Sequence, residues 1–152
     1  MSASMMKPVR LLYVSKIKNI DTNLKTNLIE ILDEAVDFNY RNDVTGVLYY
    51  GHGYFVQCLE GQKDTIDDLF YTKIVKDDRH VNCEILYYAE CDDNLFSQWS
   101  MKFSPVNQNI TDFFMKYHLE EFNPYLLTAE TTENFISVLA GEPELDVNSY
   151  VA

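Results

Sequence analysis

Residues 44 to 61, VTGVLYYGHGYFVQCLEG, constrain the fold of this chain more than any other stretch. Two apolar runs rich in β-branched and aromatic residues flank the turn tripeptide GHG, the pattern of an antiparallel hairpin. Inside the second run stands Gln57, a primary amide with two donor hydrogens and an acceptor oxygen. Left dry and unpaired, each such group costs on the order of 1 to 3 kcal/mol. A polar partner is therefore expected beside it.

The segments around the hairpin supply the rest of a sheet. PVRLLYVS, 8 to 15, has strand character. From about Thr22 onward, Leu24, Leu28, Ile31, Leu32, Ala35 and Phe38 recur at helical spacing. A second helical face carries Ile66, Leu69, Phe70 and Ile74, with Asp64, Asp67 and Asp68 near its start, where carboxylates suit the helix dipole. VNCEILYYAE, 81 to 90, and SQWSMKF, 97 to 103, predict two further strands around a polar turn. The order is βαββαββ, and right-handed crossovers put both helices on one sheet face. This predicts a ferredoxin-like α+β sandwich with an extra strand. The first and third strands form its central pair, so that Tyr13 and Gln57 are neighbours beneath the helices.

After Pro105 the pattern turns helical, through TDFFMKYH, FNPYLL and TTENFISVLAG. Phe113, Phe114, Leu119, Phe122, Phe135, Ile136 and Leu139 give this C-terminal segment the apolar surface of a cap for the free sheet face. The expected organisation is a domain over 8–104, a helical cap over 105–145 and a tail over 146–152.

Composition narrows the function. With 12 Lys+Arg against 24 Asp+Glu, the formal net charge of -12 repels phosphate backbones and disfavours direct nucleic-acid binding. Cys58, Cys83 and Cys91 are odd in number and lack CxxC spacing, so they read as reduced thiols and write no zinc site. There is no signal-peptide pattern and no apolar run long enough to cross a bilayer, which predicts a soluble cytoplasmic protein. SKIKNIDTN, after the first strand, has neither glycine nor arginine, so the anion cradle of an acyl-phosphate hydrolase is missing.

Five polar residues in buried-looking elements remain: Tyr13, Asn39, Gln57, Arg79 and His80. Singly they have plain explanations, as a core tyrosine with its hydroxyl at the rim, a helix C-cap and a solvated loop. Together they outline a polar pocket. RLLYVS, FNYRNDVTGVLYYGHGYFVQCLEG, DDRHVNCEIL and FSQWSMKF, met in that order over about residues 8 to 104, resemble the BLUF domains. These are blue-light sensors that hold a flavin noncovalently between the two helices of a ferredoxin-like fold. The chain is similar to the short type, which has a small helical cap and no enzymatic effector domain.

The resemblance implies FAD as cofactor, with FMN or riboflavin as alternatives. It implies that Tyr13 donates an electron and a proton, and that Gln57 bonds between the Tyr13 hydroxyl and the N5/O4 edge of the flavin. Asn39 would hold the carbonyl and imide edge, Ile31 and Ile74 the ring faces, and Arg79 and His80 the ribityl or phosphate side. Trp99 and Met101 would respond near Gln57 on illumination. A photoreceptor of this kind is not a turnover enzyme, and passes its signal to a downstream regulatory protein or through its own oligomer. The alternative is a flavin-free ferredoxin-like interaction module in which the same residues are only core.

Overall fold

The computed structural model of the 152-residue chain describes residues 7–18, 24–96, 102–105, 108–116 and 123–141. Strand β1 (Val9–Ile17) leads to helix α1 (Leu24–Arg41), then to the hairpin of β2 (Thr45–Gly51) and β3 (Tyr54–Gly61). Helix α2 (Lys63–Asp68) runs on as π-helical turns over Leu69–Ile74, and β4 (His80–Glu90) and β5 (Lys102–Pro105) complete the sheet. Helix α3 (Gln108–Lys116), a 3-10 turn (Pro124–Leu126) and helix α4 (Ala129–Gly141) follow.

The five strands lie in the order β4-β1-β3-β2-β5. Pairing is antiparallel except between β2 and β5, which are parallel. The hairpin forms as its sequence predicts: Gly51 pairs with Tyr54, and His52 and Gly53 hold φ of 53 and 86. Positive φ at both turn residues matches the turn to the right-handed twist of the strands. Gly46 serves a different need, since a Cβ there would sit 2.2 Å from the Cys58 carbonyl oxygen.

Alternation along the strands divides the buried side chains into two cores. Leu11, Tyr13, Leu48, Phe55 and Leu59 face the first two helices, where Leu28, Leu32, Ile66 and Phe70 meet them. Leu12, Val14, Val47, Tyr49, Val56 and Cys58 face the other way, against Phe113, Phe114, Phe135, Ile136 and Leu139. The ferredoxin-like α+β fold with a C-terminal helical cap on the second face is thus present, with β1 and β3 as the central pair.

Two details depart from the sequence pattern. The helical face of Ile66, Leu69, Phe70 and Ile74 is α-helical only as far as Asp68. Beyond it the chain widens to i→i+5 bonding, with Val75 N donating to Phe70 O at 3.0 Å. Apolar steps of three and four residues suit either winding, so periodicity alone does not separate them. Helix α1 continues to Arg41 and ends where Asp43 takes a left-handed φ of 56, Val44 N donating to Asn39 O at 2.9 Å. Of the strand expected over 97–103, residues 97–101 lie outside the described residues, as do Leu119 and Phe122 of the expected cap surface.

A buried ion pair ties the end of the sheet to the connection after β4. Glu60 Oε2 accepts from Arg10 Nε and Nη2 at 2.9 and 2.7 Å and from Leu95 N at 2.9 Å. Glu60 Oε1 accepts from Phe96 N at 3.0 Å and Thr45 Oγ1 at 3.3 Å. Five donors on one carboxylate replace the water it loses.

Candidate functional site

A cavity of about 310 Å³ lies between α1 and the α2 helix with its π-helical extension. Tyr13, Leu48, Phe55 and Gln57 of the central strands form its floor, Ile31, Ala35, Phe38 and Asn39 one wall, and Leu69, Lys73 and Ile74 the other. Asp77, Arg79 and His80 close one end, and Glu34, Asp37 and Arg41 also line it. The volume stands at the low end of the roughly 300–1,000 Å³ common for small-molecule sites.

At the floor, strand register creates the pair that Gln57 requires. Tyr13 and Gln57 are directly opposed across β1 and β3, both buried, and Tyr13 Oη donates to Gln57 Oε1 at 2.5 Å. The Tyr13 ring packs edge-on against Phe70 and His80, with centroids 5.4 and 6.2 Å apart. Burial pushes the Tyr13 phenol well above its ordinary pKa, reinforced by Cys83 and Asp77, so it keeps its proton and acts as a donor at neutral pH. The primary amide of Gln57, with its carbonyl turned to Tyr13, keeps donors at its other end.

Asn39 is 1% exposed, in the last turn of α1 and before the helix end, so it is a lining residue and not a C-cap. Ile31 and Ile74 line the cavity from its two helical walls. Lys73 Nζ sits 4.1 Å from the centroid of the Phe38 ring, a cation over an aromatic face.

His80 joins the second helical wall to the sheet. Its Nε2 lies 2.7 Å from Ile74 O, which only accepts, so Nε2 carries the hydrogen. In that tautomer Nδ1 accepts from Ser15 Oγ at 2.8 Å. Arg79 stands at the cavity end with its guanidinium held by Asp77 at 2.6 Å and by Glu34 at 3.0 and 3.1 Å. Partial burial pushes the Asp77 carboxyl up, but the side-chain and backbone donors of Arg79 outweigh it and hold the carboxyl below its usual range. The hydrogen bonds of Asp77, then of Glu34, raise Arg79 against partial burial.

The structure therefore gathers Tyr13, Ile31, Asn39, Gln57, Ile74, Arg79 and His80 around one cavity. Trp99 and Met101 lie outside the described residues. Leu48, Phe55 and Lys73 are not singled out by the sequence, and Leu69 only as part of a helical face, because apolar residues and a lone lysine look alike in a cavity wall and elsewhere. The Arg10–Glu60 pair was also passed over, although a charge in each of two apolar strands was a readable signal.

Apolar side chains on both helical walls, with two amides and a phenol lining the same cavity, suit a flat ring with polar atoms on one edge. Comparison with known proteins agrees. Residues 9–102 match the model of the family described as BLUF, sensors of blue-light using FAD. The chain is 34% identical over 107 residues to the photoactivated adenylate cyclase subunit beta of Euglena longa, covering 70% of this chain and 12% of that protein. The corresponding subunit of Euglena gracilis matches equally, again over 12% of its length. Among solved structures, the ground state of BlsA superposes with a TM-score of 0.88 at 38% identity, covering 94% of both chains. The photo-activated state of BlsA gives 0.87, covering 91% of this chain and 99% of that one. Matched along its sheet and both helical walls, the chain belongs to the BLUF family of blue-light sensors.

Proposed function

We propose that this chain is a blue-light photoreceptor that binds FAD noncovalently in the α1–α2 cavity and answers light through Tyr13 and Gln57. The observation that carries the reading is the Tyr13–Gln57 hydrogen bond on the cavity floor. The donor set fits a flavin: Ile31 and Ile74 for the faces of the ring, and the Asn39 and Gln57 amides for its polar edge, with no added charge there. Among the described residues Lys73 is the lining cation open to a phosphate, since Arg79 is paired with Asp77 and Glu34 and Arg41 with Asp37, and it favours FAD and FMN over riboflavin.

A bound flavin supplies absorption of blue light and, once excited, an oxidant strong enough to draw on a phenol. The chain's part is to hold Tyr13 protonated, dry and hydrogen-bonded, so that its proton has one destination, the carbonyl oxygen of Gln57. Rotation or tautomerisation of the Gln57 amide exchanges donor for acceptor at its cavity end, which rewrites the hydrogen bonding there. His80, bonded through both ring nitrogens, couples the second wall to Ser15 of the sheet. Trp99 and Met101 are assigned the response that follows.

The output goes to a downstream regulatory protein or to another copy of this chain, without turnover of a substrate, from a domain over 8–104 through a cap over 105–145. A cytoplasmic site suits the three free thiols, and among the described residues no helix is long and apolar enough to cross a membrane. The test is the absorption spectrum of the purified protein with FAD before and after blue light. A structured flavin spectrum with a small reversible red shift supports the reading; protein that binds no flavin, or whose spectrum is unmoved by light, removes it.

A further inference from the structure

The first residue of β4, His80, lines the pocket, yet two residues further on the same strand touches the C-terminal segment. In the β1–β4 ladder, Val14 pairs with Glu84 and Lys16 with Val81, so Asn82 and Cys83 stand opposite Ser15 alone. This is a bulge, and Asn82 holds its left-handed φ of 58. Bulges re-aim backbone groups, and here the Asn82 carbonyl accepts from Tyr125 Oη at 2.6 Å. The residue facing the bulge, Ser15, is fully buried and bonded to His80 Nδ1. A contact path of three residues thus runs from the cavity to the cap.

On the cap side Tyr125 is well placed to pass on a displacement. It lies in the 3-10 turn Pro124–Leu126, whose start is fixed by Tyr125 N donating to Asn123 Oδ1 at 3.1 Å. Its ring stands edge-on to Tyr54 of β3, with centroids 5.9 Å apart. Leu127, directly after the turn, is buried in the cap core, and Thr128 O accepts from Thr132 N at 2.8 Å at the start of α4. The turn is thereby pinned to the cap core on one side and to the β4 bulge on the other.

We propose that Tyr125 is the positioning residue through which the cap reads the pocket end of β4, by its hydroxyl on the Asn82 carbonyl across the β1–β4 bulge. A change in the cavity that shifts His80 or Ser15 alters the bulge, and the aim of the Asn82 carbonyl sets whether Tyr125 keeps its bond. The bond biases the cap only by the difference in its strength between the dark and lit states. The inference rests on the photoreceptor reading above.

The test is hydrogen exchange by mass spectrometry on the full chain loaded with FAD, dark and illuminated, for the parent, Tyr125→Phe and Asn82→Gly. Tyr125→Phe is expected to keep its melting temperature within a few degrees and its red shift in full. It should lose the light–dark difference over 123–141, with dark exchange there faster by up to about tenfold, the factor one ordinary hydrogen bond carries. Asn82→Gly should keep the difference, because glycine adopts positive φ readily and the acceptor is backbone. An undiminished light–dark difference in Tyr125→Phe overturns the inference, as does loss of the red shift along with it, which would mark a merely structural role. A parent that shows the red shift but no exchange difference over 123–141 overturns it too, and leaves the photoreceptor reading standing. A parent with no red shift overturns that reading itself.

Discussion

Replacing Tyr13 with phenylalanine deletes one oxygen atom from the floor of the cavity and leaves the ring packed edge-on to Phe70. Gln57 Oε1, on a side chain 5% exposed, loses its phenol donor. The loss of a partner to a buried polar group costs about 1 to 3 kcal/mol. In a chain of this size each kcal/mol moves the melting temperature by roughly 2 to 4 °C, so Tyr13→Phe should melt about 2 to 12 °C lower. Flavin retention should be largely preserved, because Ile31, Ile74 and Asn39 are untouched. The light response should vanish, since no proton is left to pass to Gln57. The assay is a thermal melt beside a dark-minus-light difference spectrum on the same preparation. A normal red shift in Tyr13→Phe would remove Tyr13 from the mechanism, and an unshifted melting temperature would show that the bond contributes nothing to the fold.

Glu60→Gln leaves Arg10 buried without the Glu60 charge and sets amide hydrogens against either the Leu95 or the Phe96 N–H, whichever faces the new NH2; urea titration should show a loss of about 3 to 5 kcal/mol. A loss below 1 kcal/mol would mean that water reaches the pair. Lys73→Gln should weaken FAD and FMN binding while leaving riboflavin affinity nearly unchanged, measured by fluorescence quenching; equal weakening of all three would move Lys73 from the phosphate to the ring. Asp77 has a folded pKa below its ordinary 3.8, so the stability it contributes is present above that value and is lost as pH falls through the lower folded value. Acid titration of the melting temperature should show this step, and Arg79→Met should abolish it. Cys83 is raised to about 11, chiefly by burial, so alkylation by iodoacetamide at pH 7 should be slow and should accelerate as pH rises toward 11, followed by mass spectrometry. Rapid labelling at neutral pH would contradict its half-buried place beside His80.

Much of the fold was legible because its signals are local. GHG between two apolar runs marks the hairpin, and β1, β2 and β3 are apolar runs because their side chains fill a core on each face of the sheet. Tyr13 beside Gln57 followed from strand order once β1 and β3 were taken as the central pair, and the register confirms it residue for residue. Less legible were features that answer to neighbours far along the chain. The widened turns over Leu69–Ile74 share their apolar spacing with an α-helix, and the bulge at Asn82 has no glycine to announce it. Arg79 reads as a solvated loop residue until Glu34, 45 positions earlier, is seen to grip it.

By itself the sequence determined which segments become strands and helices, which faces of them are apolar, and that a primary amide in an apolar strand demands a polar partner. Those properties belong to residue type and to spacing of two or of three to four. Only the tertiary structure decided that the Tyr13 hydroxyl reaches Gln57 Oε1 at 2.5 Å and that five donors converge on Glu60. It also decided that His80 spends both ring nitrogens joining a helix wall to the sheet. Each of these satisfies a buried polar group with an atom distant in sequence. Hydrogen-bond geometry at the scale of tenths of an ångström is set by packing of the whole chain, which no local pattern encodes.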